Sequence, residues 1–227
     1  MFLGADMLCA FIGFLIGSLI PYAARRFSKF MPATPAYALY RLIKPVKKAK
    51  KRSDKYCKLL KEYRIRSLIF AVLSGVLSYL LALKFEGVQI WFWLLFLWSL
   101  MLLAEIDLKM QLLPDLLTLP LLIIGFLFAV TFNLYIDPFE SALSAFCGYY
   151  IPVIAAVLML FYSKEAFGGG DIKLLAAIGA WVGLYGLLST ILLACFLFAC
   201  FAICKKIRVG AFGPSLTIAA IIVLFLL

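Results

Sequence analysis

Apolar residues follow one another in long runs along this chain, and charged residues, glycines and prolines interrupt the runs. The runs lie at about residues 2–22, 67–83, 88–106, 115–133, 141–162, 172–184, 186–204 and 211–227. A helix of about 20 apolar residues crosses the hydrocarbon core of a bilayer and satisfies its own backbone hydrogen bonds there. The pattern therefore predicts an all-α fold, a polytopic membrane helical bundle of about eight transmembrane helices. The sixth and eighth runs are short for a span, and little more than Tyr185 and Gly186 separates the sixth from the seventh.

The composition supports a membrane protein. Hydrophobic residues make up 66% of the 227 residues, whereas about 45–50% is usual in a soluble domain. We expect the whole chain, 1–227, to form a single membrane-embedded domain. In the first run the basic residues Arg25, Arg26 and Lys29 follow the apolar stretch instead of preceding it, and no small-residue cleavage site is present. We therefore expect an uncleaved anchor and not a secretory signal.

The basic residues fall on one side of this map. With the exception of Lys84, every lysine and arginine lies in or beside alternate loops, namely 23–66, 107–114, 163–171 and 205–210. Because lysine and arginine are enriched in the cytoplasmic loops of membrane proteins, we predict that these loops are cytoplasmic and that both termini are outside.

The loop 23–66 carries most of the positive charge. Fifteen of the 22 basic residues lie between residues 25 and 66, and the whole chain has a net charge of +11. We interpret this loop as a topology determinant that lies on anionic membrane lipids, with docking of a partner protein as the alternative. Nucleic acid is not an expected partner, because no set of aromatic residues is interleaved in the run 44–58 to stack bases.

Residues that commonly bind transition metals are scarce. The chain has no histidine, its six cysteines form no Cys-x-x-Cys pair, and only Cys57 lies outside an apolar run. A structural zinc site needs about four such ligands. The sequence therefore predicts no metal site, and the cysteines in the apolar runs are expected to be packing residues.

Two aspartates, Asp107 and Asp171, stand at the ends of apolar runs. A carboxylate in a membrane helix loses solvation, at a cost of about 2.5–3.5 kcal/mol at the bilayer centre and less near the interface, and is seldom kept there without a function. The charge map puts both at the cytoplasmic face, where two carboxyl groups can share one proton and one water as in an aspartic protease. The plainer alternatives are a helix-end charge among headgroups for Asp107 and a capped interhelical turn for Asp171.

Other residues near the aspartates have structural interpretations. Pro114 stops the helix that arrives from the third run, and Asp115 is placed to cap the N-terminus of the next helix. Glu105 stands two residues before Asp107, on a different side of the helix, and is not expected to enter the same site. Lys173 is expected to be a supporting residue that extends to the membrane interface.

Three consecutive glycines, Gly168, Gly169 and Gly170, precede Asp171. Glycine allows another chain to approach the backbone closely. A peptide that is to be cut lies extended, and an open glycine strand can pair with its backbone by strand addition. We therefore predict that these glycines bind or support the substrate.

Taken together, the two aspartate segments resemble a known family. The matching elements are Gly17-Ser18, Asp107, Leu113-Pro114-Asp115 with Thr118, Gly168-x-Gly170-Asp171, Lys173-Leu174-Leu175-Ala176-Ala177 and Phe212-Gly213-Pro214. In this order they are similar to the type IV prepilin peptidases, which are membrane aspartic proteases of the GxGD kind. The similarity extends over nearly the whole chain.

The resemblance implies an aspartic endopeptidase with Asp107 and Asp171 as the catalytic pair. It implies a multi-pass protein of the bacterial cytoplasmic (inner) membrane with its active site at the cytoplasmic face. The substrates would be type IV prepilins or pseudopilins, cut just after a short basic leader. The peptidase reaction would need no cofactor.

The chain departs from the family pattern in two places. After Gly17-Ser18 the family usually has Phe and then Asn, whereas this chain has Leu19 and Ile20. Many members carry two Cys-x-x-Cys pairs, taken to bind zinc, in the first cytoplasmic loop, where this chain has only Cys57. Such members also N-methylate the new amino terminus with S-adenosylmethionine, so that cofactor is expected here only if the chain is also a methyltransferase.

Two other functions are consistent with parts of the pattern. A presenilin-like intramembrane protease shares Gly-x-Gly-Asp but normally has a tyrosine before its first aspartate, where this chain has Ile106. A small proton-coupled transporter component would use Asp107, Asp171 and Glu105 as a proton relay. These acidic residues lie at one face in the predicted topology, and not along a path across the bilayer.

Overall fold

The structure is a computed structural model, and it describes residues 3–30, 54–133, 135–160, 168–206 and 210–227. The helices of these residues are α1 (Leu3–Phe30), α2 (Asp54–Lys84), α3 (Gln89–Met110), α4 (Asp115–Phe132), α5 (Pro138–Leu160), α6 (Gly169–Lys205) and α7 (Gly213–Leu226). No strand occurs in these ranges. Six helices are long and apolar enough to cross a membrane, and α7 is a shorter apolar helix. The all-α membrane fold is thus confirmed.

The predicted runs correspond closely to these helices, with one difference. The sixth and seventh runs both lie within α6, which has 37 residues and non-helical backbone angles at Gly183. The expected break near Tyr185 and Gly186 is therefore a kink a few residues earlier, and not a loop. Of the predicted basic loop 23–66, residues 31–53 lie outside the described residues. The prediction is wrong at both ends of the loop, because residues 23–30 belong to α1 and residues 54–66 belong to α2.

The chain divides into two compact units, Met1–Lys109 and Met110–Leu227. The prediction of a single domain stays a prediction. In the first unit, α1 and α2 pack closely at Gly17, where an added Cβ would overlap the backbone oxygen of Phe70. Next to it, the Ser67 hydroxyl donates to the backbone oxygen of Ser18 over 2.7 Å. The Gly17-Ser18 pair therefore lies inside α1 and contributes to helix packing.

In the second unit, α5 satisfies the backbone groups that the kink in α6 releases. In a regular α-helix the amide of Leu184 would donate to the carbonyl of Ala180. Here the Leu184 amide donates to Oε1 of Glu140 over 3.2 Å, and the Ser141 hydroxyl donates to the Ala180 oxygen over 2.8 Å. Gly183 has φ 71° and ψ −178°, a conformation that is essentially restricted to glycine.

Trp181, two residues before Gly183, connects α6 to α4. Its indole N–H donates to the backbone oxygen of Leu121 over 2.8 Å, which satisfies the one polar atom of a fully buried side chain. The ring stacks on Phe128 with centroids 5.4 Å apart. Gly125 makes room for it, since an added Cβ there would lie 2.6 Å from the indole.

We expect Gly183→Ala to lower the stability of the protein. Alanine at this φ and ψ carries a strain of roughly 1–3 kcal/mol, and its Cβ would lie 2.7 Å from Oε1 of Glu140. The measurement is thermal unfolding in detergent. Gly4→Ala is the control, because Gly4 lies in a helix with nothing within 4 Å of an added Cβ. Equal unfolding temperatures for the two variants would contradict the kink as described.

Candidate active site

Asp107 lies in the last turn of α3. The helix ends at Met110, and Gln111 then adopts a left-handed φ of 52°. The Asp107 residue is only 4% exposed. Burial of this carboxylate argues against the plainer interpretation of Asp107 as a charge among lipid headgroups.

The segment after α3 turns at Pro114, as the sequence predicts, but the cap differs. Pro114 is the N-cap residue of α4, and the helix begins at Asp115 without a side-chain cap. The backbone oxygen of Pro114 accepts from the amides of Leu117 and Thr118 at 3.0 and 3.2 Å. The predicted capping role of Asp115 is therefore wrong. As the first helical residue, Asp115 still places a negative charge at the positive end of the helix dipole.

Asp115 makes an ion pair with Lys173, which lies in the first turns of α6. The Lys173 ammonium is 2.6 Å from Oδ2 of Asp115, and the two side chains are 37% and 54% exposed. Exposed ion pairs add about 0–1 kcal/mol to stability. The pair nevertheless brings two sequence-predicted residues from the two motif segments into contact.

Asp171 lies in the first turn of α6. Gly168 is the N-cap residue, and its backbone oxygen accepts from the amide of Asp171 over 3.0 Å. The Asp171 carboxylate turns back toward this start, because an added Cβ at Gly168 would lie 3.0 Å from Oδ2 of Asp171. The helix dipole favours a negative charge here. Gly168, and not Asp171, is the N-cap residue of α6, and the alternative of an interhelical turn capped by the Asp171 carboxylate stays a prediction.

The glycines before Asp171 differ in their surroundings. An added Cβ at Gly170 would lie 2.8 Å from the Cβ of Leu113 and 3.2 Å from its backbone nitrogen. At Gly169 no atom of the described residues lies within 4 Å of an added Cβ, and this residue is exposed. Gly170 therefore permits the close contact between the start of α6 and the segment before α4. The prediction of an open glycine strand is wrong, because Gly169 and Gly170 are the first residues of helix α6 and Gly168 is its N-cap.

Glu105 belongs to a charged cluster that the sequence analysis did not predict. Glu105 is fully buried, and its Oε1 lies 2.8 Å from the ammonium of Lys109 and 3.8 Å from Nε of Arg66. The spacing of Glu105 and Lys109, four residues apart with the acidic residue first, is the favourable order for a helical ion pair. This spacing is the feature of the sequence that could have predicted the ion pair.

The described residues contain no group of three or more histidine, cysteine, aspartate or glutamate side chains that could hold a metal ion. The side chain of Cys57 lies outside the part of the chain that the structure describes. The expectation of no metal site therefore stays a prediction.

The fold defines an all-helical, multi-pass membrane protein. Residues 94–203 match the type IV leader peptidase family, so this segment is a domain of that family, as the motif resemblance predicts. Both candidate aspartates and the glycines before Asp171 lie within the matched residues. The charged loop 23–66 lies outside them.

Several curated relatives have the name prepilin leader peptidase/N-methyltransferase. The relative from Dichelobacter nodosus is 37% identical over 159 residues, which are 68% of this chain and 55% of the relative. The one from Klebsiella pneumoniae is 41% identical over 133 residues, 58% of this chain and 57% of the relative. The one from Pseudomonas aeruginosa is 35% identical over 172 residues, 72% of this chain and 58% of the relative. The matches thus span a little over half the length of these relatives, and no solved structure matches the chain.

We expect Gly170→Ala to destabilise the protein and Gly169→Ala to be tolerated. The added methyl at Gly170 overpacks against Leu113, at a cost of about 1–3 kcal/mol, whereas the one at Gly169 meets open space. Thermal unfolding of the two variants in detergent is the measurement. Equal unfolding temperatures would contradict the contact between Gly170 and Leu113.

Proposed function

We propose that this chain is a membrane aspartic endopeptidase that removes the basic leader from type IV prepilins or pseudopilins. Asp107 and Asp171 form its catalytic pair. The observation that carries the proposal is the family match over 94–203, which contains both aspartates in their motif order. The relatives named prepilin leader peptidase support the same substrate class.

The pair would work by general acid and base catalysis. The ionised aspartate takes a proton from a water molecule, whose oxygen then bonds to the scissile carbonyl carbon. The protonated aspartate donates to the carbonyl oxygen, which gives a diol. The aspartate that took the water proton then passes it to the amine nitrogen as the carbon–nitrogen bond breaks, and a hydroxyl of the diol returns its proton to the other aspartate as the carboxylic acid forms. Two carboxyl groups near one another favour this division, because the charge on one keeps the proton on the other. No covalent intermediate is needed.

The substrate would lie extended against the glycines before Asp171. Gly168 and Gly169 are exposed, and the surroundings of Gly169 leave its backbone open to a second chain. Gly169 is the first residue of α6. The first amides of a helix have no intrahelical partner, so they can donate to carbonyl groups of an extended peptide. Gly170 would contribute indirectly, through its contact with Leu113.

The protein would lie in the bacterial cytoplasmic membrane with the active site at the cytoplasmic face and both termini outside. This orientation follows from the basic loops, and it requires that the two halves of α6, before and after the kink at Gly183, act as the sixth and seventh of eight spans. The loop 23–66 would contact anionic lipids, and nucleic acid is not a proposed partner. The basic leader would be recognised away from this loop, because like charges repel.

The peptidase reaction would use no cofactor or metal. The relatives have N-methyltransferase in their names, and S-adenosylmethionine would be a cofactor only if this chain shares that activity. Cys57 offers one thiolate in a region where a zinc site would need about four ligands. Loss of peptidase activity after chelation of zinc would contradict this part of the proposal.

We expect Asp107→Asn and Asp171→Asn each to abolish leader cleavage, with a loss of at least about 10²–10⁴-fold. Asparagine keeps the size of the side chain but neither takes nor donates the required proton. The measurement is mass spectrometry of a co-expressed prepilin, with membrane insertion of each variant checked by fractionation. Normal cleavage by either inserted variant would contradict the two-aspartate mechanism.

Asp115→Asn is the matched variant in the same segment, and we expect it to keep most of the activity. The substitution removes one charge of an exposed ion pair with Lys173, which is worth about 0–1 kcal/mol. The same prepilin assay measures it. If Asp115→Asn were as inactive as Asp107→Asn, Asp115 would replace Asp107 as the first catalytic candidate.

A further inference from the structure

Glu105 is a fully buried carboxylate that the proposed chemistry does not use. Its Oε2 has no hydrogen-bond partner in the described ranges of the chain. A buried carboxylate is strongly destabilising unless cations compensate it. The residues that compensate the charge of Glu105 therefore indicate the role of this side chain.

Two cations from different helices face this carboxylate. The Lys109 ammonium lies 2.8 Å from Oε1 on the same helix, and Nε of Arg66, from α2, lies 3.8 Å from it. Lys109 also donates to the backbone oxygen of Pro21, in α1, over 3.3 Å. Glu105 and Lys109 thus connect the end of α3 to both other helices of the first unit.

The ring of Tyr63, in α2, reinforces this connection. The Arg25 guanidinium carbon, from α1, lies 5.4 Å from the ring centroid, and the Lys109 ammonium lies 5.9 Å from it. Cations at these distances are attracted to the aromatic face. Helices α1, α2 and α3 therefore each contribute residues to one cluster. Among the residues named here, Glu105 is the only anion of this cluster.

The cluster acts on the turn that carries Asp107. Terminal helical turns lack part of their backbone hydrogen bonds and fray, and α3 ends at Met110 before the left-handed Gln111. The Glu105–Lys109 pair bridges this last turn from one side of Asp107 to the other. Loss of the pair would release the turn from α1 and α2.

We propose that Glu105 is a positioning residue, which holds the last turn of α3, and with it Asp107, in place through Lys109 and Arg66. This inference rests on the proposed function of Asp107. The carboxylate of Glu105 faces Lys109 and Arg66, and no step of the proposed reaction uses it. Its effect is on the placement of the carboxylate and not on substrate affinity.

The test compares Glu105→Gln with Glu62→Gln. Both substitutions remove one negative charge from the first unit, but Glu62 is exposed on α2. Glu105→Gln is expected to lower kcat for a purified prepilin roughly 10- to 100-fold, as expected for a misplaced catalytic group, while KM stays unchanged. The amides of residues 107–110 should also exchange hydrogen faster than in the wild type. Glu62→Gln should change neither quantity.

A second variant separates positioning from a simple burial penalty. This is the double variant Glu105→Gln, Lys109→Met. It removes the Glu105 carboxylate together with the Lys109 ammonium, which the single substitution leaves without its anion. If the double variant unfolds like the wild type but keeps the low kcat and the fast exchange, positioning is supported. Recovery of kcat in the double variant would overturn it, as would wild-type kcat and exchange in Glu105→Gln. An active Asp107→Asn would instead overturn the proposed function, and the exchange measurement would still report on the cluster.

Discussion

Polar groups that this chain carries into apolar helices have to be satisfied by other parts of the chain, because hydrocarbon offers no water to bond them. The kink at Gly183 follows this constraint. Glu140 and Ser141 take over the two backbone groups that would otherwise pair across the kink. Trp181, two residues before Gly183, directs its indole N–H to a backbone oxygen of α4. The packing of α4, α5 and α6 in the second unit therefore depends on where these few polar groups find partners.

The same constraint organises the surroundings of the candidate aspartates. At the end of α3 a buried glutamate is compensated by lysine and arginine, and the lysine reaches a carbonyl of α1. At the starts of α4 and α6, Asp115 and Lys173 pair, and Gly170 admits Leu113. Helix ends are where backbone groups lack intrahelical partners. Interactions at these ends are consequently the ones that decide how rigidly a carboxylate is held for acid and base chemistry.

The family match and the ion cluster overlap only in part. Glu105 and Lys109 lie inside the matched residues 94–203, whereas Pro21, Tyr63 and Arg66 lie before them. In this chain the first two helices therefore supply groups that stabilise a turn of the matched domain. This dependence gives the segment before residue 94 a physical role besides the one predicted from its charge, which is to fix the orientation of the chain.

The apolar runs are sufficient to predict the all-α membrane fold, because they leave the backbone few options except helices in lipid. The sequence also predicts the family of residues 94–203, through Asp107, Leu113-Pro114-Asp115 and Gly168-x-Gly170-Asp171. Contacts between helices, in contrast, are needed to see that Asp115 pairs with Lys173 instead of capping its helix and that Gly170, unlike Gly169, lies in a close contact. The same is true of Glu105, which is buried beside two cations. These outcomes depend on which residues of distant segments meet, and periodicity along one helix carries no information about its neighbours. The break predicted between the sixth and seventh runs is a kink for the same reason. Glu140 and Ser141 of α5 bond the backbone groups at the kink, and the apolar runs alone do not reveal these partners.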